Sequence, residues 1–444
     1  MTLHGNLTWQ EYNPEDIFEQ TRRKNRIILM TFPECSEKLG LEPSILTVAP
    51  DGDNVEYSFK NRDFNDNDVN MYLCSVYISG MEEFEKWAMR HDQNKIVVGG
   101  YHPTTFPQEF TNLAWKIVQG PCDSLYKTLE QVGQIVPGIV TDKRIPRREI
   151  YDIYKNQQVI PDKRPEQTCV SINTSVGCSM KPPCDFCASP IMCSKVVSKP
   201  LELVEEELLN IRMYRPEFCF IRDENFFMQR DWERRLQMIG ELLPTPKVKK
   251  PKLYLFASAN TITEKKVQAM VEAGVYMVCL GLEDPTKDYQ KNEKLTEACA
   301  LLHEYGVFVY LSFIVNPLEI IGKEPATQFY AALNNRLKEL RPEMICGNFL
   351  MPFPGTALWD KYYAYVDRED YKYYDSKTPF LVRNKKLQKK MSLFLIWHQW
   401  RYYTSRFYNR NVREFAVNDT LHNRFIELAD QFKEGYETMW DVRT

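Results

Sequence analysis

Six short apolar runs lie between residues 169 and 350, and helix-patterned stretches fill the five gaps between them. The runs are Cys169–Thr174, Phe218–Arg222, Leu253–Ser258, Tyr276–Leu282, Val307–Val315 and Met344–Leu350. This alternation leaves few folds open, because parallel neighbours need a crossover helix between them. Six units make three-quarters of an eight-unit barrel, whose chemistry lies on loops at the C-terminal strand ends. A first series precedes it. "RIILMTF", "VNMYLCSVYISG", "KIVVGGYH" and "AWKIVQG" read as strands, with "MEEFEKWAMRHD" and "CDSLYKTLEQVGQI" as helices. That series predicts a doubly wound parallel sheet of Rossmann or flavodoxin type. "VAPDGDNVEYSF" departs from it and predicts a hairpin, with Asp51-Gly52 as the turn. The α/β chain therefore divides into an extension (1–25), a wound domain (26–140), a linker (141–165), a partial (βα)6 barrel (166–375) and a helical C-terminal domain (376–444).

Several classes fall away. A net charge of −3 gives no global sign of nucleic acid or membrane. The start, MTLHGNLTWQEYNPED, has neither the basic nor the apolar region of a signal peptide. Every apolar run is far shorter than the ~20 residues that span a bilayer. A cytoplasmic protein is expected, in which 12 cysteines point to metal or redox chemistry rather than disulfides.

Three of those cysteines crowd "GCSMKPPCDFC", directly after the first barrel strand. Cys178, Cys184 and Cys187 are candidate metal ligands. Structural zinc wants four ligands, for which Cys193 could serve as the last. A plain electron-transfer iron–sulfur centre also wants four. Three thiolates on a 4Fe–4S cluster leave one iron open for a substrate or cofactor.

The loop resembles the cluster loop of the radical SAM enzymes, whose commonest spacing is Cys-x3-Cys-x2-Cys with an aromatic before the last cysteine. Cys184-Asp-Phe-Cys187 matches, with Phe186 in the aromatic place. The first gap holds five residues instead of three, with Pro182 and Pro183 as the apparent insertion. "FCFIRDENFF" resembles the family's second strand, which implies that Asp223, Glu224 and Asn225 reach the amino group of S-adenosylmethionine (SAM); each also reads as a helix cap. "LYLFASAN" brings Ser258 and Asn260 to the third strand end. "CLGLEDP" resembles the fourth, and implies Glu283 at the ribose hydroxyls. "NFLMPFPGT" matches the sixth.

The wound domain resembles the cobalamin-binding domain that precedes many radical SAM barrels. "GGYHPT" is close to that domain's GG-x-H-x-T. The resemblance implies a corrinoid near Ser79, Gly99, Gly100, His102 and Thr104, with Gly99 and Gly100 leaving room for the flat ring. No Asp-x-His-x-x-Gly motif occurs, so no histidine in that form is offered as lower cobalt ligand. The other reading is a sheet that only positions substrate. The tail holds nine Lys/Arg between Arg383 and Arg413. It reads as an amphipathic helix docked on the barrel with solvated charges, and nucleic acid is the rival reading. His398 and Cys169 are read as packing residues.

Together these imply a cobalamin-dependent radical SAM enzyme with a 4Fe–4S cluster, SAM and cobalamin. Such an enzyme methylates unactivated carbon through a 5′-deoxyadenosyl radical. The substrate would be a small molecule or peptide, and the electron donor a flavodoxin or ferredoxin. A non-methylating radical SAM enzyme and a non-catalytic iron–sulfur or corrinoid sensor are the alternatives. No catalytic side chain is singled out.

Overall fold

The structure is a computed structural model that describes residues 26–32, 54–57, 64–140 and 169–404. It divides into two compact units, residues 1–163 and 164–444. The expected linker lies wholly outside the described residues.

The first unit is a sheet of six parallel strands. They are β1 (Arg26–Phe32), β2 (Asn54–Tyr57), β3 (Met71–Val76), β4 (Ile96–Gly99), β5 (Lys116–Gln119) and β6 (Ile135–Pro137). Their order is β2-β1-β3-β4-β5-β6. The chain winds one way from β1 to β2 and the other way from β3 onward, so the topological switch falls between β1 and β3. Helix Met81–Ala88 buries Met81, Phe84 and Trp87, and Phe32 of β1 meets the Phe84 ring at 5.3 Å.

Two expectations are corrected here. "NVEY" is not a hairpin arm: it pairs in parallel with β1, Ile28 opposite Glu56. Its exposed glutamate suits an edge strand and bonds Arg26 at 2.6 Å. The proposed turn at Asp51 lies outside the described residues. The last helix stops at Leu129, and Gly133, at φ +105°, turns the chain into the unforeseen β6.

The second unit is the partial barrel the sequence implied. Its parallel strands are β7 (Cys169–Ile172), β10 (Phe218–Ile221), β11 (Lys252–Phe256), β12 (Val275–Glu283), β13 (Phe308–Val315) and β14 (Met344–Phe349). They lie side by side in sequence order. A short antiparallel pair, β8 (Ser175–Val176) and β9 (Val197–Ser198), closes the base of the cysteine loop. Five strands line the barrel interior with Phe218, Tyr254, Met277, Phe308 and Met344. Helix Lys385–Thr404 covers β14. Tyr403 accepts from the Ile345 N–H at 2.9 Å, and Gln399 from the Gly347 N–H at 3.1 Å. Side chains thus satisfy an edge that no seventh strand occupies among the described residues. His398 stacks on Tyr330 at 4.0 Å, and burial lowers its pKa to about 4, so it packs as a neutral ring. No helix among the described residues is long and apolar enough to cross a membrane.

Candidate functional site

The cysteine loop leaves β8 at Gly177. That residue has φ +87°, and an added Cβ would stand 2.2 Å from the Lys195 carbonyl oxygen, so only glycine lets the loop cross its own return limb. Cys178, Cys184 and Cys187 are half-buried free thiols. The Cys187 N–H donates to the Cys184 carbonyl at 3.1 Å, and the Cys178 N–H to that of Cys193 at 3.4 Å. Cys193 therefore braces the loop with its backbone, while its thiol turns to the Lys195 carbonyl at 3.1 Å. Burial pushes the Cys178 and Cys184 thiols up, and neighbouring cysteine thiols add to this. Among the described residues no three His, Cys, Asp or Glu side chains converge as ligands of a single ion.

One cation answers those thiols. Lys291 pairs with Glu283, and its ammonium lies 5.2 Å from the centre of the Phe186 ring. Burial pulls Lys291 down, but Glu283 and the Cys184 and Cys187 thiols hold it above the usual lysine range. Glu283 itself is buried and sits at φ +60°, an uncommon conformation for a side-chain-bearing residue, where the register with β13 shifts. Gly281 makes room for it: a Cβ there would lie 2.0 Å from Glu283 Oε1.

The three adjacent polar residues after β10 have different positions. Asp223 is wholly buried. It accepts from the Thr174 N–H at 2.7 Å, the Thr174 hydroxyl at 2.5 Å, the Ser175 hydroxyl at 2.9 Å and Gln229 Nε2 at 2.8 Å. Burial pushes its carboxyl up while the Thr174 and Ser175 donors pull it down, with burial prevailing. Glu224 is exposed and accepts from the Gly177 N–H at 3.0 Å, at the root of the cysteine loop. Asn225 is 4% exposed; its Nδ2 donates to Ser258 at 2.7 Å, and its Oδ1 has no partner. Asn260 is occupied elsewhere, donating to the Gln290 carbonyl at 2.7 Å and accepting from the Lys294 N–H at 3.2 Å.

Beside the cysteines opens a cavity of about 250 Å³, lined by Phe186, Lys287, Tyr289, Ile314, Leu350 and Tyr362 among others. Lys287 bonds Asp284 at 2.9 Å and Glu319 at 2.6 Å. The sequence reading missed Lys287, Tyr289 and Lys291. Their signal was position: "DPTKDYQK" follows the Glu283 strand end directly.

The remaining candidates belong to the first unit. Ser79 lies in the turn after β3. Gly99 has nothing closer to an added Cβ than Val118 at 3.8 Å. The room at Gly100 belongs to the chain itself, because its Cβ would meet Ser75 Oγ at 3.0 Å and its φ is +102°. Thr104 donates to the Gly100 carbonyl at 2.7 Å and accepts from the Gly120 N–H at 2.9 Å, tying two strand-end loops together. His102 turns into the core, with Nε2 3.3 Å from Glu109 and its ring 5.5 Å from Phe106 and Phe110.

A partial parallel barrel with three free thiols on the loop after its first strand defines the class. Residues 172–321 match the sequence model of the Radical SAM superfamily. The fold as a whole is similar to that of TsrM from Kitasatospora setae, a radical S-adenosylmethionine methyltransferase solved with cobalamin and a [4Fe-4S] cluster. The TM-score is 0.55 at 14% identity, over 76% of this chain and 74% of that one. It is also similar to OxsB, a cobalamin-dependent S-adenosylmethionine radical enzyme, with TM-score 0.55 at 13% identity over 95% of this chain and 73% of that one. No curated protein sequence matches the chain.

Proposed function

We propose that this chain is a cobalamin-dependent radical SAM enzyme that methylates an unactivated carbon. The observation that carries the reading is the cysteine loop: three free thiols within ten residues, faced by Lys291, beside a buried Asn225 carbonyl oxygen that lacks a donor. Three soft ligands suit a 4Fe–4S cluster with one iron left open. The orphaned oxygen suits an ammonium group, since a buried acceptor left unpaired is costly. When bound, the cluster and SAM supply a 5′-deoxyadenosyl radical, and cobalamin supplies the methyl group.

The chain's own residues bind and orient. Cys178, Cys184 and Cys187 hold the cluster. Asn225 Oδ1 accepts from the methionine amine, with Ser258 fixing the amide's orientation. Glu224 holds the loop root. Lys291 places a positive charge beside the thiols, and Glu283 fixes where that charge stands. The cavity between Phe186, Tyr289 and Ile314 takes the nucleoside and keeps water away. In the first unit the open β1/β3 strand ends take the corrinoid. His91 bonds Asp66 and His102 is buried, which favours a cobalt with no protein imidazole beneath it. A flavodoxin or ferredoxin supplies the electron, and the substrate is a small molecule or peptide.

The test is anaerobic reconstitution with iron, sulfide and hydroxocobalamin, followed by SAM and a strong reductant. Release of 5′-deoxyadenosine together with a stoichiometric, base-off corrinoid that survives gel filtration is expected. A protein that makes 5′-deoxyadenosine but sheds the corrinoid is a non-methylating radical SAM enzyme. One that makes none is no radical SAM catalyst.

A narrower test concerns Asn225. Asn225→Leu should keep its iron and lose SAM affinity. A charge-assisted hydrogen bond contributes about 1.5–3 kcal/mol, or about 10- to 150-fold in Kd. Unchanged SAM binding by this variant would reject the assignment.

A further inference from the structure

The inner face of β14 carries Met344, Cys346 and Asn348, in register with Tyr310, Ser312 and Ile314 of β13. Met344 and Tyr310 pack on the aromatic floor of the barrel, and Ile314 lines the cavity. Cys346 and Asn348 thus stand between floor and cavity, on the last strand of the open barrel. Into that gap reaches Lys377, from the segment that runs beside the β14 edge, where the Phe349 N–H donates to the Ser376 carbonyl at 2.9 Å. The Lys377 ammonium donates to the Gly347 carbonyl at 2.9 Å and Asn348 Oδ1 at 3.0 Å, and lies 3.6 Å from Cys346 Sγ.

The Gly347 carbonyl and the Asn348 amide are neutral acceptors. Among the described residues no carboxylate lies within ion-pair distance of Lys377. The nearest acid in sequence, Asp375, is engaged by the backbone N–H groups of Lys377 and Thr378 at 2.7 Å each and by the Thr378 hydroxyl. Lys287, with two carboxylates, and Lys291, with one, contrast with it, while Lys361 at the cavity lies over the Tyr362 ring. Lys377 is exposed, and a lysine held at one place with no carboxylate partner among the described residues is open to an anion from solution.

We propose that Lys377, with Asn348 and Cys346, forms a subsite for a carboxylate, and that the substrate carries that carboxylate. One positive charge and one side-chain amide match a single negative charge spread over two oxygens. A phosphate, with nearly twice the charge, calls for more than one cation. Asn348 of the subsite pairs directly with cavity-lining Ile314, so a substrate anchored here would present a neighbouring carbon at the cavity. That the anion belongs to the substrate rests on the proposed reaction; the anion subsite does not.

Cys346 is a built-in reporter. The anaerobic, cluster-loaded protein would be treated in parallel with iodoacetate and iodoacetamide, and alkylation of Cys346 followed by peptide mass spectrometry. Both reagents react with the thiolate, so their rate ratio cancels the thiolate fraction. Only iodoacetate carries a carboxylate. The iodoacetate-to-iodoacetamide ratio should be about tenfold higher in the wild type than in Lys377→Met, a Coulombic effect intermediate between water and protein. Lys377→Gln should behave like Lys377→Met, and Lys377→Arg like the wild type. Acetate should protect Cys346 better than inorganic phosphate at equal ionic strength. Equal ratios in wild type and Lys377→Met would overturn the proposal. So would better protection by phosphate, or a Cys346 that reacts with neither reagent until the protein is unfolded. Because the readout needs no turnover, it stands or falls separately from the proposed reaction.

Discussion

Cys184→Ala and Cys187→Ala should each purify colourless after reconstitution, with iron falling from about four per chain to near none. Neither variant should release 5′-deoxyadenosine. The loop explains why the loss is all-or-none. The Cys187 N–H to Cys184 carbonyl turn sets both thiols on one short arc, and no other cysteine of the loop replaces them. Cys193 is the nearest other cysteine in the sequence after Cys187, yet it is six residues on and its thiol is turned to the Lys195 carbonyl. Cys193→Ala should therefore keep its iron, which a zinc site with Cys193 as fourth ligand would not. The measurement is iron and acid-labile sulfide per chain, with the visible spectrum. A colourless wild type loaded with zinc would refute the cluster.

The barrel was legible because each of its strands ends near the start of a helix pattern, and two independent periodicities agree on the order. The place of the cysteine loop followed from that order alone. What was not legible depends on register. Asp223, Glu224 and Asn225 are adjacent in sequence, and local pattern offers no way to rank them. The fold turns the first inward beneath β7, the second out toward Gly177 and the third toward Ser258. Lys291 was hidden among the other charges of "DPTKDYQKNEK", and only the turn after Glu283 returns it to the thiols. Strand β2 reads as a hairpin arm because local pattern marks a strand without naming its partner, and the fold pairs it in parallel with β1. His102 stands in its motif beside two glycines, and the fold packs its ring against Phe106 and Phe110.

The split among the three residues after β10 has a large consequence. Asp223→Ala should damage the fold before it touches SAM. Its carboxylate is the shared acceptor for a backbone N–H, two hydroxyls and an amide from two separate segments, and all of them are buried. The same knot continues outward, because Arg235 donates to the Thr174 carbonyl at 3.1 Å and also bonds Asp231. Alanine leaves those donors facing a void. Each buried donor left unpaired costs about 1–3 kcal/mol, and partial rewiring to one another limits the total to about 3–5 kcal/mol. Domains have only about 5–15 kcal/mol to lose, so poor soluble yield and a Tm lowered by many degrees are expected. Glu224→Ala removes one exposed acceptor and should leave Tm nearly unchanged. Comparing the cluster-free proteins keeps cofactor stabilisation out of the comparison. If Asp223→Ala melts like the wild type and loses only SAM affinity, its carboxylate serves the ligand and not the join between β7 and β10.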